Sequence, residues 1–555
     1  MAILLWSMKE IHIVPEPKNL KFSGRSFVFD GFENFPEFLT SEFDVPKGGI
    51  KIKEISREGT GLRIKEKEVV MWGDRYVNYA TILQLLMQDP DHLPEVTVEE
   101  KFNFAFRGYH LDIARGGVPT VETFKKILRW LFLLKYNYFA IYFEDLFPWK
   151  KHPIIGKHRG RLTEDELREV MLYGKNLGIE VFPSLELSGH MEHILSLPEY
   201  RKFSEWHRPS EGCLDLSNEE AREFAYELLR EAVEFCSSKH VHIGGDETWA
   251  LGRGRSLSKT WTFEGPKLYE MHHRNMIEIV KKAGKKSILW GDMISGMYLK
   301  RITKDASRWS EVIESPIWKE ALIANWDYSP NTKEYFKEKI RIFKDRGLQQ
   351  IVCPGLSNWR RYYPNFQTAL ENLRNFLEAA KETEVDGFLI TAWGDDGEEC
   401  LFSLLEPLLL ASMEIAEGNG RWEEKWMALR GENKEVLKAR ILFGDPDVSE
   451  NLKHIIFRDF EFHRMSNEER KNLKDKWKKI LRETGEVQLP KDLEFIRRLL
   501  NLGVKVLSGE AGVSDYIALS KIYAELWLNE RKPEGLERII ERFWGAAGRE
   551  DMNLR

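Results

Sequence analysis

His240-Val241-His242-Ile243-Gly244-Gly245-Asp246-Glu247-Thr248-Trp249 is an apolar, alternating run that ends in two adjacent carboxylates. A period of two reads as a strand with His242, Gly244 and Asp246 on one face, while Glu247 leaves the strand end at a different angle. The two carboxylates therefore aim at different points. Like charges side by side resist joint ionisation, so their surroundings can keep one as an acid and the other as an anion near neutrality. An isolated Asp-Glu pair reads best as an exposed acidic turn. The glycines before this one and the aromatic residues around it reverse that preference.

Working outward, eight apolar runs have this form: Phe106 to Ile113, Tyr138 to Glu144, Glu180 to Leu187, His240 to Asp246, Ser287 to Asp292, Leu322 to Asp327, Gln350 to Leu356 and Gly387 to Trp393. Longer helical patterns such as Val121 to Leu134, Glu219 to Cys236 and Phe366 to Lys381 lie between them. Eight strands, each followed by a helix, in about 310 residues describe an α/β fold, a (β/α)8 TIM barrel. A doubly wound open sheet would gather its site at one switch point. Here polar or aromatic residues mark the C-terminal ends of nearly all eight runs. No Gly-x-Gly-x-x-Gly follows a strand, so no dinucleotide site is indicated.

The barrel is expected over residues 101–420. Before it, Ile11 to Val14, Ser26 to Phe29 and two runs within Leu62 to Trp72 read as strands, and Tyr76 to Met87 as a helix, giving a small α+β domain over residues 1–100. Asp89-Pro90-Asp91 and Leu93-Pro94 read as breakers between the two. After Arg421 the chain becomes helical and strongly charged, with Trp477, Ile480, Leu493, Leu499, Leu519 and Trp527 at helical spacings. This helical C-terminal region, 421–555, must cover its apolar face with the barrel or with a second subunit, which leaves a homodimer open.

With 83 basic and 89 acidic residues the net charge is −6. Neither sign forms a long block, which argues against a nucleic-acid or anionic-membrane surface and for a small neutral partner. The four cysteines form no Cys-x-x-Cys pair and read as reduced, structural thiols. Ala2 to Trp6 is too short for a secretory signal and no other run approaches a membrane span, so a cytoplasmic location is expected.

The strand ends supply Arg107 and Asp112, Glu144 and Asp145, Glu186 and His190, Asp246 and Glu247, Trp290 and Asp292, Trp326 with Asp327 and Tyr328, Asn358 and Trp359, and Trp393 with Asp395 and Asp396. Carboxylates, tryptophans and an arginine at one barrel mouth suit a sugar. Indole faces stack on the apolar faces of a pyranose, and carboxylates and Arg pair with vicinal hydroxyls. Metal readings are weaker: His190 and His193 lack a third ligand at a known spacing, and no His-Glu-x-x-His occurs. Asp145, His190 and Glu247 read as a hydrogen-bonded relay, and His272-His273 as solvated residues of a polar helix. No Gly-x-Ser-x-Gly elbow is present, which argues against a serine hydrolase. Neither a metal nor a cofactor is expected.

Phe106-Arg107-Gly108-Tyr109-His110-Leu111-Asp112, Ser188-Gly189-His190, His242-Ile243-Gly244-Gly245-Asp246-Glu247 and Trp393-Gly394-Asp395-Asp396-Gly397 together resemble glycoside hydrolase family 20, the β-N-acetylhexosaminidases, over residues 11 to 420. Ile13-Val14-Pro15-Glu16-Pro17 and Val96-Thr97-Val98 resemble that family's small N-terminal domain. The resemblance implies that Glu247 is the general acid and that Asp246 orients the substrate's 2-acetamido nitrogen while its carbonyl oxygen attacks the anomeric carbon, through an oxazolinium intermediate. It further implies that Arg107 holds ring hydroxyls, that His190 with Asp145 supports the acid, and that Trp290, Trp326 and Trp393 wall the acetamide pocket and sugar face. The implied substrate is an oligosaccharide or small glycoside ending in β-linked N-acetylhexosamine.

Three positions depart from that family's commoner pattern. Asp395 stands where many members carry Glu, so the carboxylate that reads the 4- and 6-hydroxyls is one methylene shorter. Phe143-Glu144-Asp145 replaces the usual Asp-Asp. The acetamide carbonyl has two candidate partners, Tyr328 and Asn358. Two other functions are compatible with the residues: a conventional retaining glycosidase using Glu247 with Asp395, and a non-catalytic sugar-binding barrel, which would need no acid.

Overall fold

The structure, a computed structural model, describes residues 4–5, 10–296, 309, 311–395 and 397–552. Most of the Ala2 to Trp6 run, and Asp396, lie outside the described residues. Strands β1 (Leu4–Leu5), β2 (Asn19–Val28), β3 (Lys51–Glu54), β4 (Thr60–Lys65), β5 (Glu68–Trp72) and β6 (His92–Glu100) form one sheet in the order β1-β2-β6-β4-β5-β3. Helix Arg75–Gln88 covers it, begun by the Asp74 carboxylate, which accepts the N–H groups of Tyr76 and Val77.

Two local expectations fail here. Ile11 to Val14 is not a strand: the side-chain amide of Gln84 pairs with both backbone groups of Val14 (2.8 Å each), and that of Gln88 pairs with those of His12 (2.9 and 2.7 Å), so two glutamines replace a neighbouring strand. Leu93-Pro94 does not break the chain but lies inside β6, and β2 shifts register between Phe22 and Ser26. The irregularity sits opposite Pro94, which has no N–H to give the ladder.

The barrel strands are β7 (Phe106–Asp112), β8 (Tyr138–Tyr142), β9 (Glu180–Ser184), β10 (His240–His242), β11 (Lys286–Trp290), β12 (Ala321–Trp326), β13 (Gln350–Cys353) and β14 (Gly387–Ala392). All pair in parallel and close on themselves. The outer helices start at polar caps: side chains of Thr120, Thr163, Asn218, Thr332 and Asn365 accept an N–H from the first turn. Phe106, Tyr138, Phe182 and His240 plug the bottom of the barrel, with the Phe106 and Tyr138 rings stacked at 3.8 Å. Near the top, the rings of His110, Tyr142, His242, Trp290 and Trp393 meet. With the interior filled, the room for a ligand lies at the C-terminal strand ends.

The C-terminal helices, among them Asn467–Thr484, Lys491–Ser508, Val513–Glu530 and Leu536–Asp551, pack on this same barrel. Trp477, Leu499, Trp527 and Phe543 are buried, and the Tyr523 hydroxyl donates to the Glu399 carbonyl (2.8 Å). The apolar face is thus covered largely within the chain. Among the described residues no helix is long and apolar enough to cross a membrane.

Candidate active site

Strand β10 ends at His242, four residues earlier than the alternation in the sequence implies. Gly244 and Gly245 then take left-handed backbone (φ +68° and +100°) and turn the chain over the barrel mouth. A Cβ on Gly245 would stand 2.6 Å from His273 Nε2 and 2.7 Å from Tyr269 Oη. These neighbours fix the turn: Tyr269 Oη donates to the Gly245 carbonyl (2.7 Å), and the Glu247 N–H donates to Asp292 Oδ2 (3.0 Å). Glu247 itself, with Glu144 and His190, holds positive φ, a cost of about 1–3 kcal/mol each that folds tolerate mainly at functional sites.

The turn gives the two carboxylates different surroundings. The Asp246 side chain is 9% exposed and that of Glu247 34%, and both reach His190 Nε2, at 3.4 and 3.6 Å. Burial works against a charged imidazole at His190, but the Asp246 carboxylate outweighs it and holds the imidazole well above its ordinary value. Burial likewise opposes charge on Asp246, yet His190 keeps its carboxyl below the usual range. Burial and the nearby Asp246 push Glu186 well upward, leaving a neutral carboxyl that accepts from Gly245 N–H and Trp290 Nε1 (3.3 Å each). Asp292, buried and beside Asp246, is raised to about 7. Of the three buried carboxyls Asp246, Glu186 and Asp292, Asp246 is therefore the one favoured as the anion.

A cavity of 710 Å³ opens above them, lined by Arg115, His190, Glu192, Asp246, Glu247, Trp326, Tyr328, Trp359, Arg360, Trp393 and Asp395. Trp393 Nε1 donates to Tyr328 Oη (2.8 Å), and the Trp326 and Tyr328 rings stack at 5.1 Å. Across the cavity, Arg115 is held by Asp112 (2.7 Å) and Glu144 (3.1 Å), with its Nε 3.8 Å from Asp395.

The catalytic domain of glycosyl hydrolase family 20 matches residues 104–393, more than half of the chain. The chain belongs to glycosyl hydrolase family 20. A β-hexosaminidase of Vibrio furnissii is 28% identical over 204 residues, 30% of this chain and 33% of that protein. Hexosaminidase D of Homo sapiens is 24% identical over 360 residues, 61% of this chain and 68% of that one. The Vibrio protein, a lacto-N-biosidase of Bifidobacterium bifidum and a β-hexosaminidase of Porphyromonas gingivalis are matched over only 33%, 24% and 36% of their own lengths. Among solved structures, the chitobiase of Flavobacterium johnsoniae has a TM-score of 0.58 at 17% identity, covering 96% of this chain and 99% of that one. The β-N-acetylhexosaminidase of Bacteroides fragilis has 0.59 at 19%, covering 74% and 91%. At such identities the structural likeness is one of fold.

Within this family 20 barrel several expected site residues stand elsewhere. Arg107 is a correction. It alternates with the inward-facing Phe106 and lies at the closed end of the barrel, with its Nε on the Lys135 carbonyl (3.0 Å), its Nη1 on the Phe104 carbonyl (2.8 Å) and the Phe102 ring beneath it (3.9 Å). The arginine at the mouth is Arg115, just beyond β7. Its signal in the sequence is the spacing Asp112-x-x-Arg115, which lets a strand-end carboxylate grip an arginine three residues on.

Asp145 does not join His190. It is buried against Arg159 (2.5 Å) with its carboxyl raised to about 6 by burial, while Glu144, raised to about 8 for the same reason, faces Arg115. Trp290 is wholly buried and forms the floor beneath the cavity, not its wall. Asn358 donates to the Trp393 carbonyl (2.8 Å) and is absent from the cavity lining, whereas Tyr328 is part of it. His272 and His273 are fully buried, His272 against Tyr226 and the Leu187 carbonyl and His273 against the Gly245 turn, so the solvated reading is wrong. The sequence reading missed Glu192 and Arg360, which lie beyond the strand ends, Glu192 opening the short helix Glu192–Leu195 and Arg360 in a turn.

Proposed function

We propose that the protein is an exo-acting, retaining β-N-acetylhexosaminidase that releases terminal β-linked N-acetylglucosamine or N-acetylgalactosamine with the substrate's acetamide as nucleophile. The observation that carries this reading is the buried, anionic Asp246 and the more exposed Glu247 sharing one imidazole at the cavity floor. Glu247 gives its proton to the glycosidic oxygen as the C1–O bond breaks. The acetamide oxygen bonds to C1, and Asp246 takes the positive charge that develops at the acetamide N–H. Water then opens the oxazolinium ion with Glu247 as base.

The placement of the two carboxylates supports this over the conventional scheme, which sets its pair about 5–5.5 Å apart across the scissile bond. Asp246 and Glu247 are neighbours on one loop, and Asp395 is engaged with Arg115. Trp326 and Trp393 supply apolar walls for the acetamide methyl, and Tyr328, on the cavity lining, donates its hydroxyl to the acetamide carbonyl. Arg115, in place of Arg107, holds ring hydroxyls with Asp395. The four buried free cysteines support a reducing, cytoplasmic setting.

The test compares p-nitrophenyl N-acetyl-β-glucosaminide with p-nitrophenyl β-glucoside. Cleavage of the first with near inertness of the second is expected. Equal turnover would favour the conventional glycosidase, and binding of N-acetylglucosamine without cleavage of any β-N-acetylhexosaminide would favour a binding module.

A further inference from the structure

The two loops that carry Arg115 and Asp395 are tied to the C-terminal region, outside the matched family domain. Thr120 N–H donates to the Glu530 carbonyl (3.0 Å) and Lys532 N–H to the Val118 carbonyl (2.9 Å), an antiparallel bridge just after Arg115. The Glu530 carboxylate accepts from Phe402 and Ser403 N–H (2.8 and 3.0 Å), beyond the Asp395 loop. Arg531 is buried, donates to the Cys400 carbonyl (2.5 Å) and lies over the Phe402 ring (4.2 Å).

Arg538 joins the two loops directly. Its Nη2 donates to the carbonyl of Arg115 (3.0 Å). Gly116, next in the chain, and Gly397, two residues past Asp395, have φ of +118° and +122°. A Cβ on Gly116 would stand 3.1 Å from Arg538 Nη2, and one on Gly397 would collide with it. Both loops thus carry glycine where this guanidinium passes.

We propose that Arg531 and Arg538 are positioning residues for sugar recognition: the C-terminal region sets the backbone of the Arg115 and Asp395 loops and so the alignment of the two side chains that read the ring hydroxyls. This inference rests on the proposed function, because it needs Arg115 and Asp395 to meet the sugar. A charged donor on a loop carbonyl is stronger than a neutral one and holds a loop in one place, whereas packing alone would not fix its register.

The experiment measures kcat and KM of Arg538→Ala, Arg531→Lys and Arg115→Lys, and of Arg115→Lys combined with each, on p-nitrophenyl glycosides of β-N-acetylglucosamine and β-N-acetylgalactosamine, which differ at the 4-hydroxyl. Arg538 is on the surface, so Arg538→Ala should fold with a thermal midpoint near wild type. Its expected effect is a KM raised roughly three- to tenfold, the scale of one net hydrogen bond, with kcat nearly unchanged and a changed ratio between the two sugars. In the Arg115→Lys background most of that effect should vanish, since coupled residues are non-additive. Should Arg531→Lys fold poorly, Arg538→Ala alone decides the matter. An unchanged sugar ratio, or losses that simply multiply, would reduce the C-terminal region to passive support while leaving the proposed function standing. A wild-type protein inert on every N-acetylhexosaminide would remove both.

Discussion

His190 Nε2 lies 3.4 Å from Asp246 Oδ2, a contact between an imidazole held above its ordinary value and a carboxyl held below its own. The signs define a pH window. Asp246 contributes stability that is present above its unfolded value, near 3.8, and is lost as the pH falls through its lower folded value. His190 contributes stability that is fully present below its unfolded value, near 6.5, and is lost as the pH rises through its higher folded value. His190→Gln should remove the alkaline loss and raise the Asp246 carboxyl, moving the acid limb of kcat/KM to higher pH. Thermal midpoints and pH–rate profiles of the two proteins check this, and superimposable acid limbs would contradict it.

The exchange of Arg107 for Arg115 separates stability from binding. Arg107→Met should destabilise the fold by about 1–3 kcal/mol, the cost of leaving two buried carbonyls without donors, with KM unchanged. Arg115→Lys should raise KM by roughly tenfold to a hundredfold through loss of charge-assisted hydrogen bonds to the sugar, with a smaller change in stability. Denaturant midpoints and KM values for both variants decide it.

Gly245→Ala would place a methyl 2.6 Å from His273 Nε2 and 2.7 Å from Tyr269 Oη, at a φ of +100°. Loss of at least about 1–3 kcal/mol of stability is expected from the backbone alone. Activity should fall further than stability, because the turn also aims Asp246. Denaturation curves and kcat of the folded fraction provide the check.

The barrel was legible because polar or aromatic residues mark the C-terminal ends of nearly all its strands, and the carboxylate pair because Gly-Gly before Asp-Glu signals a special turn. Arg107 was misread although strand parity already separates it from Asp112: His110 and Asp112 share the inward face with Phe106, and Arg107 does not. Asp145 and Glu144 are adjacent, and only the left-handed backbone at Glu144 decides which of them meets Arg115. Tertiary pairing of that kind leaves no local trace. The glutamine pairs that anchor His12 and Val14, and the ties from Glu530 and Arg538 to the site loops, span tens to hundreds of residues and follow no period.

The two carboxylates should respond differently to the leaving group. Glu247→Gln cannot donate a proton, so its kcat/KM should fall by roughly 10²–10⁴ for poor leaving groups and much less for good ones. Asp246→Asn removes one preorganised electrostatic contact, worth about 10²–10³, with no such dependence because it acts on the nucleophile's side of the bond. Aryl glycosides of graded phenol pKa make the comparison, and the reverse pattern would interchange the roles.

The acetamide's role as nucleophile is tested most directly by substrates whose N-acetyl group carries one, two or three fluorines. Fluorine withdraws electrons from the carbonyl oxygen and leaves the leaving group untouched. If that oxygen attacks the anomeric carbon beside Asp246, kcat/KM must fall steeply and progressively along the series, with the acetyl substrate fastest. A flat series would mean that a protein carboxylate is the nucleophile and would contradict the account.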